Sequence, residues 1–290
     1  MGRRRQLSEM RMLITGASQG IGRALALAAV KRGAWVLGTA RSADLLQELQ
    51  REAQGLPGRL AICVADITSP SDRSQMLDAM VEHYQGMDIL VNNAGIGATG
   101  HFSDATEERL RRIFEVNFFG PAELIRSALP LLRQGRTPLI VNISSIVGLR
   151  AFPARSEYSA SKFALQGLSE ALRAELVRYG IDLLVVSPGL TATNFPNNMI
   201  ENKARWPMDH KRSMSAEQVA EATLRAMEKG RNNLVLTWEG KLVVWLNRLF
   251  PRLVDWIMAR KVYELYRDEI EQRLSPKNQS APLEAVSSRQ

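Results

Sequence analysis

Tyr158 and Lys162 stand four residues apart in a segment with helical patterning, so both side chains project from one face. A free phenol titrates near about 10, too high to exchange protons readily at neutral pH, and a nearby ammonium favours the phenolate and lowers that value. Such a pair can give a proton to a carbonyl oxygen or take one from an alcohol. Alone, the spacing also describes two surface neighbours on any helix. Its surroundings change the weighting. Asn142-Ile143-Ser144-Ser145 follows the apolar run Leu139-Ile140-Val141, and Asn92-Asn93-Ala94-Gly95 follows Ile89-Leu90-Val91. Sites in parallel sheets form at strand carboxyl ends, where Ser145 would hold a substrate oxygen beside Tyr158.

A second set of residues suits a dinucleotide. Thr15-Gly16-Ala17-Ser18-Gln19-Gly20-Ile21-Gly22 lies between an apolar run, Met12-Leu13-Ile14, and an Ala/Leu-rich helical segment. Glycines there let the backbone approach a pyrophosphate that the helix N-terminus binds. The spacing is not the usual GxGxxG, and a Gly-rich turn without a ligand is the plain alternative. The next strand ends Gly38-Thr39-Ala40-Arg41-Ser42, with no acid before Asp44 to hold a ribose 2′-hydroxyl. Arg41 suits a 2′-phosphate, so NADP(H) is expected ahead of NAD(H).

The elements that must position these groups follow from the hydrophobic pattern. Short apolar runs at 12–14, 34–37, 60–64, 89–91, 139–141, 183–186 and 234–236 alternate with helical stretches at 21–31, 43–53, 72–84, 106–116, 118–133 and 157–178. Non-alternating strands separated by helices predict a parallel sheet buried on both faces. The expected fold is α/β: a Rossmann-type, doubly wound, mostly seven-stranded sheet with a C-terminal helical extension. The expected divisions are 1–238 for the sheet domain, 239–274 for the extension and 275–290 for a frayed polar tail.

Bulk properties narrow the classes. The 290 residues are 45% hydrophobic and 23% charged, ordinary for a globular protein, and Cys63 alone cannot form an internal disulfide. Of the net charge of +8, residues 1–11 carry +3 and 240–290 another +3, leaving +2 for the long middle. Without a clustered basic face, nucleic-acid binding is not expected, and neither is a metal site. No long apolar stretch follows Arg3-Arg4-Arg5, and Gln6 breaks the myristoylation pattern. A cytoplasmic protein is expected.

Together these motifs resemble the short-chain dehydrogenase/reductase family, in its compact single-domain branch. The resemblance rests on Thr15-Gly16-x-x-x-Gly20-x-Gly22, Asp66, Asn92-Asn93-Ala94-Gly95, Asn117, Ser145, Tyr158-x-x-x-Lys162 and Pro188-Gly189, in the family's order over about residues 11–236. It implies a tetrad of Asn117, Ser145, Tyr158 and Lys162, with Asn117 holding a water that links Lys162 to solvent. It implies cofactor contacts from Lys162 to the nicotinamide ribose, from Asp66 and Ile67 to adenine, and from Asn93, Ala94 and Gly95 to ribose and phosphates. Pro188, Gly189, Thr191 and Thr193 would meet the carboxamide and pyrophosphate. Ser18 and Arg41 fall where NADP-preferring members bind the 2′-phosphate, whereas Gln19 departs from their Lys or Arg. A homodimer or homotetramer is also implied. Rival readings are an NAD-dependent alcohol dehydrogenase of the family and a non-catalytic NADP-binding scaffold.

Two segments are particular to this chain. Residues 194–212 (Asn194, Phe195, Pro196, Met199, Trp206, Met208, Lys211 and Arg212 among them) fall at the family's variable substrate lid. Their Phe, Met and Trp suggest an apolar pocket and a lipophilic ketone: a long-chain 3-oxo compound, a ketosphingoid-like lipid or a steroid. Residues 241–258 mix apolar runs with Arg248, Arg252 and Asp255, and Pro251 splits them into two helices too interrupted to span a bilayer. Docking on the domain or a partner subunit is favoured over a membrane surface.

Overall fold

A computed structural model describes residues 2–193, 195, 199–203 and 213–274. The strands are β1 (Arg11–Thr15), β2 (Trp35–Ala40), β3 (Arg59–Val64), β4 (Ile89–Asn92), β5 (Leu139–Ile143), β6 (Asp182–Ser187), β7 (Thr191–Ala192), β8 (Met214–Ser215) and β9 (Asn233–Val235). The α-helices are α1 (Gly20–Lys31), α2 (Ala43–Glu52), α3 (Pro70–Tyr84), α4 (Glu107–Phe114), α5 (Gly120–Leu132), α6 (Ser156–Glu175), α7 (Ala216–Glu228), α8 (Trp238–Leu249), α9 (Pro251–Leu265) and α10 (Arg267–Leu274).

Seven strands form one parallel sheet in the order β3-β2-β1-β4-β5-β6-β9, the doubly wound arrangement expected. Alternation along each strand feeds two cores. Met12 and Ile14 of β1 pack with Leu25 and Val30 of α1 and Leu224 of α7, while Leu13 joins Met76 and Met80 of α3 and Leu124 of α5. Both sheet faces are thus covered, as apolar strands without a polar side require. β1 and β4 are neighbours although two strands lie between them in sequence, so the carboxyl ends of these two strands open a crevice.

The structure departs from the sequence reading in a few places. The two helices expected at 106–116 and 118–133 are joined by a π turn, Glu115–Phe119, which carries Asn117. The small β7–β8 pair and a bridge between Thr99 and Asn202 had no alternating pattern to announce them. Helix α8 ends and α9 begins around Pro251, as the sequence predicts, and α10 is an addition. The chain forms two compact units, Met1–Trp245 and Leu246–Gln290. Among the described residues no helix is long and apolar enough to cross a membrane. The expected tail, 275–290, and Asn194, Pro196, Trp206, Met208, Lys211 and Arg212 of the lid lie outside the described residues.

Candidate active site

The crevice beyond β1, β4 and β5 deepens into a cavity of about 460 Å³. Gly16, Ser18, Gln19, Gly20 and Ile21 line one end with Arg41, Asp66 and Ile67. Asn93, Ala94 and Gly95 line the middle, and Ser145, Tyr158 and Lys162 the other end. Pro188, Gly189, Thr191 and Thr193 complete the wall. Gly22 and Asn117 are the predicted site residues that stand behind it.

The Gly-rich turn has the shape a pyrophosphate needs. Gly16 and Gly20 sit at φ +67° and +57°, where side chains are strained. A Cβ on Gly16 would come within 2.9 Å of Ala94 Cα, and one on Gly22 within 2.2 Å of the Gly16 carbonyl. No side chain caps the N-terminus of α1, so its first amides keep their donors for a ligand. The turn is tied to β4: Asn93 Nδ2 donates to the Thr15 and Gly16 carbonyls at 2.9 and 3.1 Å, and Thr15 Oγ1 accepts from the amides of Asn93 and Ala94. Asn93 therefore spends its side chain on the protein. These features fit a dinucleotide cofactor.

At the adenosine end, Arg41 is largely exposed and lies 3.9 Å from Asp66. Burial opposes ionisation of Asp66, but hydrogen bonds from Thr68 together with Arg41 and Arg112 outweigh it and hold the carboxyl below its ordinary range. Arg41 thus stands at the cavity with most of its guanidinium open to solvent.

At the other end, Tyr158 and Lys162 share the inner face of α6. Burial pushes the Tyr158 phenol up to about 12, against a downward pull from Arg155 and a hydrogen bond with Ser145. Burial brings the Lys162 ammonium down to about 8. Its Nζ donates to the Ile143 carbonyl at 3.0 Å and lies 5.8 Å from the Tyr158 ring centre. The sequence named Lys162 as the cation acting on the phenol; in the structure the charge that pulls the phenol down is that of Arg155. Arg155 stands three residues before Tyr158 at the N-cap of α6, outside its helical backbone, so helical spacing did not announce it.

Asn117 is fully buried and its amide is satisfied by protein. Oδ1 accepts from Ile96 N at 2.9 Å, while Nδ2 donates to Ile96 O at 2.9 Å and to Ser161 Oγ at 3.0 Å. A Cβ on Gly95 would lie 3.3 Å from Asn117 Oδ1 and 3.6 Å from Lys162 Nζ, so both groups border that glycine. A further buried relay went unread in the sequence. Asn92 Nδ2 donates to Asn142 Oδ1 at 2.9 Å, and Asn142 Nδ2 to Ser169 Oγ at 2.8 Å, lashing β4 and β5 to α6.

The lid contributes Phe195 and Met199 to the cavity wall. The Phe195 ring lies 5.8 Å from that of Tyr158 and packs on Gly97, where a Cβ would come within 3.0 Å of it.

Comparison with known proteins turns this geometry into a family assignment. A model of the family described as short chain dehydrogenase matches residues 10–204. The chain belongs to the short-chain dehydrogenase/reductase family. As such it is an oxidoreductase with the family's Rossmann-type fold. It is 32% identical over 287 residues to the uncharacterized oxidoreductase YxnA of Bacillus subtilis, covering 97% of this chain and 80% of that protein. It is 36% identical over 187 residues to a 3-ketodihydrosphingosine reductase of Bacteroides thetaiotaomicron, covering 64% of this chain and 66% of that protein. Among solved short-chain dehydrogenase/reductase structures, one from Burkholderia phymatum in complex with NAD is similar with a TM-score of 0.78 and 22% identity, over 86% of this chain and 96% of that one. An alcohol dehydrogenase from Thermococcus sibiricus complexed with 5-hydroxy-NADP is similar with a TM-score of 0.70 and 26% identity, over 79% of this chain and 96% of that one.

Proposed function

We propose that this protein is an NADPH-dependent reductase that converts a lipophilic ketone to a secondary alcohol. The observation that carries the reading is a single cavity lined at one end by an uncapped helix N-terminus with its glycines, and at the other by Ser145, Tyr158 and Lys162. When bound, the reduced nicotinamide supplies the hydride. Tyr158, protonated at neutral pH, gives its phenolic proton to the carbonyl oxygen, and Ser145 donates a second hydrogen bond that orients that oxygen. Lys162 keeps the resulting phenolate beside a cation. Reprotonation runs past Asn117; since its amide is already taken, its main-chain carbonyl in the π turn is the group offered to a water.

Arg41 and the missing acid at the end of β2 favour NADP(H). Replacing Arg41 with Ala should weaken NADPH by about ten- to a hundredfold, the scale of charge-assisted bonds to a phosphate, while leaving NADH nearly unchanged. Titration of both nucleotides checks this, and tighter binding of NAD(H) than of NADP(H) by the wild type would favour the NAD-dependent alcohol dehydrogenase instead.

Phe195, Met199, Ile96, Val116 and Leu190 give the substrate end an apolar wall. That wall and the likeness to a 3-ketodihydrosphingosine reductase support a long-chain 3-oxo lipid, ahead of a steroid. Location on the cytoplasmic side, peripheral to membranes, with assembly as a homodimer or homotetramer, belongs to the same proposal. The test is a screen of short-chain, long-chain and steroidal ketones, read as NADPH absorbance, with Tyr158→Phe as control. Long-chain ketones should turn over, and the variant should lose about 10²–10⁴-fold in rate while still binding NADPH. A screen in which no ketone oxidises NADPH would leave the non-catalytic scaffold standing.

A further inference from the structure

Arg109, on α4, is an odd residue to find almost fully buried, because an arginine away from water needs partners. It has two, from distant parts of the chain. Its Nε donates to Glu157 Oε1 at 2.8 Å and its Nη2 stands 2.7 Å from the same oxygen. Its Nη1 donates to Glu201. Burial alone would lower the guanidinium's pKa, yet the two carboxylates overcome it and raise the value.

The partners stand at informative places. Glu157 is buried in the first turn of α6, immediately before Tyr158. Glu201 lies in the segment 199–203, two residues beyond Met199, which lines the cavity with Phe195. This segment is laid on the residues after β4 by three backbone bonds: Ile200 N to Gly97 O at 2.9 Å, Thr99 N to Glu201 O at 2.8 Å and Lys203 N to Thr99 O at 3.0 Å. Thr99 Oγ1 adds a bond to Asn202 Oδ1 at 2.9 Å, and Lys203 lies 3.5 Å from Glu201. Only Glu201, of the two carboxylates, reaches solvent.

We propose that Arg109 is a positioning residue: its fork clamps segment 199–203 through Glu201 and the start of the Tyr158 helix through Glu157, so that the apolar wall at Phe195 and Met199 is held at a fixed distance from the catalytic hydroxyl. A planar guanidinium holds two carboxylates along separate edges in one fixed fork, a geometry that lysine's compact, rotatable ammonium does not set. The clamp acts on substrate seating. Loss of its outer half frees the lid and weakens binding of the ketone, while the proton donor on α6, still paired through Glu157, stays in place. The consequence for turnover rests on the reductase reading; the consequence for the lid does not.

The test uses Glu201→Gln and Glu201→Ala, which change the solvent-reaching partner and leave the buried pair intact. Hydrogen exchange at the Ile200 and Lys203 amides should speed up by about tenfold in the Ala variant, and less in Gln, which keeps an acceptor, while β4 and β5 stay protected. With a ketone that turns over, KM should rise about five- to tenfold and kcat stay within about twofold, with NADPH affinity unchanged. Arg109→Lys should reproduce the KM effect. Unchanged lid exchange in Glu201→Ala would overturn the proposal, as would a loss carried by kcat at constant KM. If no ketone reacts with the wild type, the reductase reading fails by itself, and the exchange result still decides the clamp.

Discussion

Two titrating groups share the inner face of α6, and their separation gives the reaction a readable pH dependence. Reduction by the proposed route needs the Tyr158 proton and the Lys162 charge together. With the phenol at about 12 and the ammonium at about 8, the lower value sets the limit. Below it both groups are in the required form; as pH rises through it the ammonium is lost first. The rate of ketone reduction should therefore fall above about pH 8, and Lys162→Arg, which cannot lose its proton in this range, should move the falling limb beyond it. A pH–rate profile of both proteins under saturating NADPH is the check. A limb that stays in place in the variant would mean that another group controls it. The tetrad was legible because its members recur at short spacings on recognisable elements. Arg155 and the Arg109 fork were not, since the partners that give them meaning stand far away in the chain or, for Arg155, at the end of a helix whose start is hard to locate.

Strand order and helix order followed from hydrophobic runs, because a parallel sheet buried on both sides leaves few other places for them. What the pattern could not carry is how polar side chains lash those elements together. Asn92, Asn142 and Ser169 look like unrelated residues in sequence, yet they form one buried chain that ends with Ser169 Oγ donating to Leu165 O at 2.6 Å. The π turn at Glu115–Phe119 is equally silent, since Asn117 there is fixed by Ile96 and Ser161 and not by its own helix. A direct consequence concerns Ser169→Ala. Removing the hydroxyl leaves the Asn142 amide buried without its acceptor, which costs about 1–3 kcal/mol. Urea unfolding should show that loss with an unchanged m-value. Because the chain reaches α6 well beyond Lys162, the same variant should keep most of its activity at low temperature. A variant as stable as the wild type would show that the amide finds another partner.

At the scale of the whole molecule the C-terminal helices present an apolar surface that a second phase must cover. In α9, Val254 is buried and Met258 and Val262 are half-buried, so one stripe is already covered. A second stripe, Leu253, Trp256 and Ile257 with Leu249 and Phe250 before it, is exposed, each residue near half of its surface. A helix apolar on two sides calls for a second apolar phase. The sequence alone favoured a protein partner; the charges beside the stripe argue for lipid. Arg248, Arg252, Arg260 and Lys261 are all exposed, with Asp255 among them and Glu264 paired to Arg260 and Lys261. A second copy of the chain packed face to face would set these cations against their own images, whereas anionic head groups match them and the aromatic rings suit the interface. We therefore expect the protein to sediment with vesicles containing about one-third anionic lipid, and to be released by salt, each basic residue near the surface contributing about 1 kcal/mol. Trp256→Ser with Ile257→Ser, both at exposed positions, should abolish sedimentation while thermal stability and NADPH binding persist. Binding would also bring the protein to the layer in which a long-chain ketone is dissolved. Wild-type protein that ignores such vesicles, but dissociates from dimer to monomer in the double variant, would show that a second copy covers the stripe.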